Sequence, residues 1–343
     1  MPSRTLFLSL VRALGGFALA RRLTRKNLRI LCYHGLALDD EASFQPKLFM
    51  RADTFRRRLQ LLAGRGHPVL ALDEALRRLD NGSLPDHAVV ITFDDGWLGI
   101  GTLAVPALEQ RGFPATIYVT TRDAVEAQPV FNVAVRYLLW KARARLLDFG
   151  RAGLDATGTF ELDDPADRER ALASLSARAD ATDGPGRTAI LRAVARALDI
   201  DWDALAARRL ICLMTPDELA AIASRGIDLQ LHTHDHRFGG CDRAFADRTL
   251  LENRQALAPL TGKPVVHFCY PSGEYSAAQL PWLEALGIES ATTCKPGLVG
   301  PRTPRLELGR FRDGEHIAVV EFEAEISGFL ELMRRARAAL RPA

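Results

Sequence analysis

Short apolar, β-branched runs recur along the chain at 28–34, 68–71, 89–95, 115–120, 227–233, 265–271 and 290–294. Such runs suit strands buried on both faces, as in a parallel sheet. Between them lie segments with apolar residues at helical spacing, at 53–63, 73–79, 103–110 and 277–286. One helix start is explicit: Thr215 as N-cap, Pro216 at the first helical position and Glu218 three residues after the cap. Strands alternating with helices predict an α/β fold, a parallel sheet closed by helices. Seven strands fit a parallel (β/α) barrel better than an open dinucleotide-binding sheet, and no GxGxxG follows any of them.

The alternation breaks once, over 131–210, where the pattern predicts helices at 133–147, 168–177, 187–198 and 202–209 joined by Gly-, Asp- and Pro-rich loops. An insertion of this size between barrel strands builds either a lid or cleft wall, or a bundle that only covers the barrel's side. The barrel with this insertion is expected over 28–330. An Arg- and Ala-rich tail, 331–343, is expected to end the chain as a surface helix.

Composition is that of a globular protein, with 48% hydrophobic and 25% charged residues. The formal charge of +3 hides an asymmetry. Residues 1–30 hold seven Arg or Lys and no acid, so elsewhere 38 basic residues face 42 acidic ones. Charge confined to one arm does not make a nucleic-acid binder, and no nucleic-acid partner is expected. In that arm Leu6, Leu10, Ala13, Leu14 and Phe17 recur at helical spacing. Arg12 interrupts the apolar run, which is too short to span a bilayer, and argues against cleavage after the signal-like Ala18-Leu19-Ala20. Residues 1–27 are expected to form a basic amphipathic helix that either rests on an anionic membrane surface or packs on the domain. The expected location is cytoplasmic, either free or peripheral on the inner membrane, with secretion by an uncleaved or atypical signal as the alternative. The five cysteines (Cys32, Cys212, Cys241, Cys269, Cys294) form no CxxC pair and read as reduced packing residues.

The chemistry lies where strands end. "VVITFDDGW" (89–97) drives a buried strand into two adjacent carboxylates, which repel each other unless something cationic favours both. His34 closes "LRILCYHG", His232, His234, Asp235 and His236 close "IDLQLHTHDH", and Tyr270, Pro271 and Gly273 close "VVHFCYPSG". In a parallel barrel the C-terminal strand ends meet at one face. A divalent metal resolves the puzzle: His232 and His236, four apart, with one aspartate form a two-His, one-carboxylate set that leaves positions open for water and substrate. The second aspartate can then take a proton from that water.

At these residues the chain resembles the polysaccharide deacetylases, the NodB-homology or carbohydrate esterase 4 family. "TFDDG" (92–96) is similar to the family's first motif, which implies Asp94 as general base and Asp95 as metal ligand. "HTHDH" (232–236) is similar to the second, H-S/T-x-x-H, which implies His232 and His236 as the other ligands, with Thr233 ordering the loop. The resemblance implies a distorted barrel and one divalent ion, zinc first, cobalt or nickel as alternatives. The third motif departs from the usual R-P-P-Y-G: "FCYPSG" puts Cys269 where an arginine commonly positions the base, so that support is missing or comes from elsewhere. The backbone N–H of Ser272 would still face an oxyanion. The C-terminal Leu-x-His motif that usually supplies the acid is not evident. "CYHG" instead resembles the circularly permuted, poly-N-acetylglucosamine deacetylase-like branch, which implies His34 as the acid.

Around this set, Tyr270 is placed with the substrate-facing residues and Trp97 is expected to stack on a sugar ring, a core tryptophan being the rival reading. Asp235 either orients a ligand imidazole or caps a turn; His234 is not expected to ligate. The implied activity is metal-dependent hydrolysis of N-acetyl groups on an N-acetylhexosamine polysaccharide or lipid-linked glycan. The alternatives are an O-deacetylase or small-molecule amidohydrolase on the same site, and a non-catalytic glycan-binding barrel.

Overall fold

A computed structural model describes residues 2–154 and 158–340. Seven strands form the central sheet: β1 (Arg29–Tyr33), β2 (Val89–Asp95), β3 (Thr116–Val119), β4 (Asp228–Leu231), β5 (His267–Cys269), β6 (Ser290–Thr292) and β7 (Phe311–Arg312). Their order is β6-β5-β4-β3-β2-β1-β7 and every pairing is parallel. All residues of β1 and β2 are buried, which is why these strands are near-continuous apolar runs rather than alternating ones. The sheet curls so far that its edges meet: Thr292 of β6 bridges Leu308 on the approach to β7, and Thr293 N–H donates to the Leu308 carbonyl. This is a distorted seven-stranded parallel (β/α) barrel, with its strand C-termini gathered at one mouth.

Six of the seven predicted strands are in the sheet. The exception is 68–71, which makes one bridge, Val69 to Val89, and no ladder. The seventh strand is Phe311–Arg312, which has no apolar run to announce it. It is fixed instead by buried charge pairs at either end, Arg58 Nε to Asp313 Oδ2 at 2.8 Å and Arg310 to Asp94 at 2.7 Å.

Between β3 and β4 the chain leaves the barrel as helices Phe131–Lys141, Pro165–Asp180, Gly184–Ala197 and Trp202–Arg208. The first stops at Lys141, short of the predicted 147, because the chain turns into an antiparallel pair, Leu146–Asp148 with Thr159–Glu161. That pair buries Leu147 and sets Phe149 against Phe160. Ionic contacts tie these helices to the barrel loop after β1, Lys141 to Asp40 at 2.6 Å and Arg208 to Asp39 at 2.7 Å.

Candidate active site

At the barrel mouth Asp95 Oδ1 lies 3.3 Å from His232 Nε2 and 3.2 Å from His236 Nε2. Oδ1 is buried and accepts no hydrogen bond. Three ligand-type atoms, all within 4.8 Å of one another, thus face one point. The atoms behind them hold that aim. Asp95 Oδ2 accepts the Trp97 indole N–H at 2.8 Å. His232 Nδ1 is 2.8 Å from the Cys269 carbonyl, which makes Nδ1 the protonated nitrogen and leaves the Nε2 lone pair toward Asp95. The His232 N–H donates to Asn253 Oδ1, and Asn253 Nδ2 donates to the Val119 carbonyl and Thr121 Oγ1.

The field at this point favours a cation. Burial pushes the Asp95 carboxyl up, but the His232 and His236 imidazoles outweigh it and hold the group well below the usual range. Burial likewise opposes charge on His232, yet Asp95 and Asp94 raise its pKa above the ordinary value. Backbone strain gathers here too: of the eight non-glycine residues with positive φ among the described residues, Asp95 (70°), Thr233 (64°), His236 (54°) and Ser272 (57°) belong to the predicted site.

Asp94 has a different neighbourhood. Its carboxylate is gripped from both oxygens by Arg310, Nη1 to Oδ1 at 2.7 Å and Nη2 to Oδ2 at 2.8 Å. The guanidinium also donates to the Thr293 carbonyl, Thr92 Oγ1 and Cys269 Sγ, so all five of its N–H groups have acceptors. Burial raises the Asp94 carboxyl, and the Arg310 charge and hydrogen bonds, then His34 and His232, reverse that and hold it ionised. His34, directly after β1, sets Nε2 3.8 Å from Asp94 Oδ2, and its buried Nδ1 has no partner. Burial lowers the His34 pKa, Asp94 and Asp95 oppose that, and Arg310 adds to the lowering.

The sequence over 81–152 and 186–291, more than half of the chain, matches the model of the family described as "Polysaccharide deacetylase". The chain belongs to the polysaccharide deacetylase family. Asp94, Asp95, His232, His236 and Ser272 lie within the matched residues; His34 and Arg310 lie outside them. Among curated proteins, none matches the sequence. Solved structures share the fold. Streptococcus pyogenes deacetylase PplD, in complex with acetate, superposes with a TM-score of 0.59 at 17% identity, covering 88% of this chain and 99% of that one. IcaB from Ammonifex degensii gives 0.54 at 15%, covering 88% and 97%. A de-N-acetylase from Aggregatibacter actinomycetemcomitans gives 0.54 at 13%, covering 87% and 99%.

In this polysaccharide deacetylase three expectations need correction. Trp97 is only 2% exposed and packs edge-on against Phe49, 5.0 Å between centroids, so it braces Asp95 and has no open face for a sugar. The Tyr270 side chain is fully buried, stacked on Tyr275 at 4.3 Å with its hydroxyl donating to the Leu306 carbonyl; it belongs to the core and not to a substrate surface. Asp235 orients no imidazole: it pairs with Arg122, whose backbone N–H donates to the His234 carbonyl. Thr233 Oγ1 accepts the Arg237 N–H and ties the histidine loop to itself. His234 turns away, its Nδ1 2.9 Å from Thr121 Oγ1. Ser272 is exposed on the turn after β5, and its N–H donates to no acceptor among the described residues.

Sequence reasoning missed Arg310 and Asn253. The signal for the first was present as a gap. The small Cys269, where the family commonly has arginine, leaves space for a guanidinium arriving from the opposite side, and Arg310 Nη2 sits 3.0 Å from its sulfur. A cleft open to solvent leads to Asp95 and His236. Phe131, Asn132, Ala179, Asp180 and Arg187 form its outer wall, so the helices between β3 and β4 face the site.

Proposed function

We propose that this polysaccharide deacetylase removes the N-acetyl group of an N-acetylhexosamine unit in a polysaccharide or lipid-linked glycan, with one divalent cation held by Asp95, His232 and His236. The observation that carries the reading is the orphaned, buried Asp95 Oδ1 facing two imidazole Nε2 atoms, beside a second aspartate that Arg310 keeps ionised. The donor set fits zinc, cobalt or nickel, and it leaves coordination positions open. The other ligand-type clusters, Cys32 with His34 and Asp94, and Asp94 with His232 and Cys269, share an aspartate whose two oxygens already bond a guanidinium, and that charge repels a dication. A cation bound at Asp95 supplies Lewis acidity, bringing water toward deprotonation at neutral pH and polarising the amide carbonyl.

The chain's own groups do the rest. Asp94, ionised and fixed in orientation, accepts the proton of the attacking water. The Ser272 N–H, without an acceptor among the described residues, donates to the oxygen that becomes negative in the tetrahedral intermediate. His34 starts neutral; as negative charge develops nearby its proton affinity rises, it takes up the proton that Asp94 removed from water, and it passes that proton to the departing amine as the C–N bond breaks. Acetate and a free amine leave. The preference for an amide over an ester rests on the likeness of "CYHG" to the permuted branch.

The test is acetate release from N-acetylglucosamine oligomers by zinc-loaded protein, with O-acetylated glycans in parallel. Asp94→Ala is expected to abolish turnover and keep the ion, and His34→Gln to cut turnover and keep the ion. Loss of the ion in Asp94→Ala reverses the two aspartate roles. Release from esters alone makes the enzyme an O-deacetylase, and no release from any glycan leaves the barrel a binding module.

A further inference from the structure

Residues 2–23 form two helices, α1 (Pro2–Ala13) and α2 (Gly16–Leu23), broken at Gly15 where φ is +80°. Part of this hairpin is glued to the barrel. Leu8 and Phe17 are buried with Val320 and Ala324 of the helix Val319–Ile326, and the Phe17 ring lies 5.5 Å from that of Phe329. That contact leaves a second apolar stripe without a partner. Leu6, Leu10 and Leu14, spaced by four, are 73%, 58% and 78% exposed, and Leu19 and Leu23 continue the exposed surface. Six of the twelve exposed large hydrophobics among the described residues fall between Leu6 and Leu23, which is a patch and not a scatter.

The same hairpin is flanked by two arginine-lined grooves. On one side Arg12, Arg21 and Arg65 surround apolar Phe17 and Leu61, and the carboxylate among them is Glu323, 2.6 Å from Arg12 and 2.7 Å from Arg65. On the other side Arg4, Arg334 and Arg337 border Phe7, Leu330 and Met333. There Arg4 meets Glu321, and Arg334 meets Glu325 and Glu331. Arg21 and Arg22 meet no carboxylate among the described residues, and Arg65 crowds Arg21 enough to disfavour its charge, after burial. The first groove, with three arginines and one glutamate, therefore holds more positive charge than the protein neutralises, and Arg22 adds to it, next to leucines that water solvates poorly.

We infer that this hairpin and its flanking grooves are a docking face for an anionic phospholipid bilayer, with Leu6, Leu10 and Leu14 in the acyl boundary and the arginines on lipid phosphates. Charge decides against a second copy of the chain as the occupant. A two-fold contact through this face would set arginines against arginines, whereas an anionic surface complements them. The attachment is peripheral: among the described residues no helix is long and apolar enough to cross a membrane.

The experiment is sedimentation of the full-length protein with vesicles of phosphatidylcholine mixed with phosphatidylglycerol, against pure phosphatidylcholine. Expected is binding to the mixed vesicles that weakens with salt, and at least about tenfold weaker partitioning for Leu10→Glu/Leu14→Glu. Arg21→Gln/Arg22→Gln should weaken binding to the anionic vesicles and flatten its salt dependence. Unfolding midpoints equal to wild type establish that both variants fold, since the altered side chains are at the surface. The inference is overturned if wild type stays in the supernatant with the mixed vesicles, or if the leucine variant binds as wild type does. It is equally overturned if light scattering shows a lipid-free dimer that the leucine variant dissociates.

Discussion

Arg310→Met isolates the most consequential contact in the site. The side chains of Arg310 and Asp94 are 1% and 3% exposed, so neither charge can be rescued by water once its partner is gone. Removing the guanidinium takes two charge-assisted hydrogen bonds from Asp94 and leaves burial as the dominant influence on its carboxyl. Breaking one side of a buried pair costs about 3–5 kcal/mol. The sign of the pH dependence follows. In the native protein the Asp94 pKa lies below its unfolded value, so its stabilisation is present above about pH 4 and is lost as pH falls through the folded pKa. In Arg310→Met, burial lifts the carboxyl above the unfolded value. Asp94 then favours the folded state only when protonated, and this contribution is lost as pH rises. The variant should therefore lose most stability at neutral pH and regain part of it toward pH 5. The acid limb of the acetate-release profile should move up by about one pH unit or more, equivalent to about 1.4 kcal/mol. Turnover at neutral pH should drop toward the loss of a general base, about 10²–10⁴-fold. Denaturant unfolding and acetate release across pH on zinc-loaded protein measure both. Arg310→Met/Asp94→Asn provides the control: with no charge left to bury it should recover much of the lost stability and remain inactive. An unchanged unfolding midpoint and rate profile in Arg310→Met, or a double variant no more stable than the single one, refutes the reasoning.

Three further outcomes are expected. His236→Ala should lose the ion with little change in apo-protein stability because its side chain is 45% exposed, while His232→Ala should lose both, its ring being buried against the Cys269 carbonyl; metal analysis and thermal melts separate the two. Trp97→Phe keeps the ring in the core but removes the N–H that holds Asp95 Oδ2, and should weaken metal affinity about 10–100-fold in a chelator competition. Cys269→Arg, which restores the family's usual residue, would bury a second guanidinium against Arg310; it should destabilise strongly on its own, and Cys269→Arg/Arg310→Ser should be the more stable of the two in urea unfolding.

What could be read in the sequence, and what could not, divides along contact range. β1 and β2 were legible because strands buried on both faces are apolar throughout, and polar residues at their ends have no place except a mouth. β7 was not, since Phe311 and Arg312, set between Arg310 and Asp313, look like a surface turn. What fixes them, Arg58 and Asp94, lies 255 and 216 residues away. Trp97 and Tyr270 turn to the core and not to the cleft, a choice that spacing along a loop does not reveal. Asn253 was invisible for another reason: a lone amide within a polar helix carries no signal until it meets the His232 N–H.

The adjacent carboxylates then receive separate answers. The left-handed backbone at Asp95 departs from the strict alternation of an extended strand, and both carboxylates lie beside the His232 ring. Asp94 is directed to a guanidinium that the fold brings back from the far end of the barrel; Asp95 is directed to two imidazoles and the cation they would share. Each acid is thus stabilised by its own positive partner. That lets two like charges sit side by side in a buried strand without either being forced to protonate. The division also accounts for Cys269. With arginine at that position, Asp94 would be reached from β5; with cysteine, the same carboxylate is reached from β7, and the role survives although the motif does not.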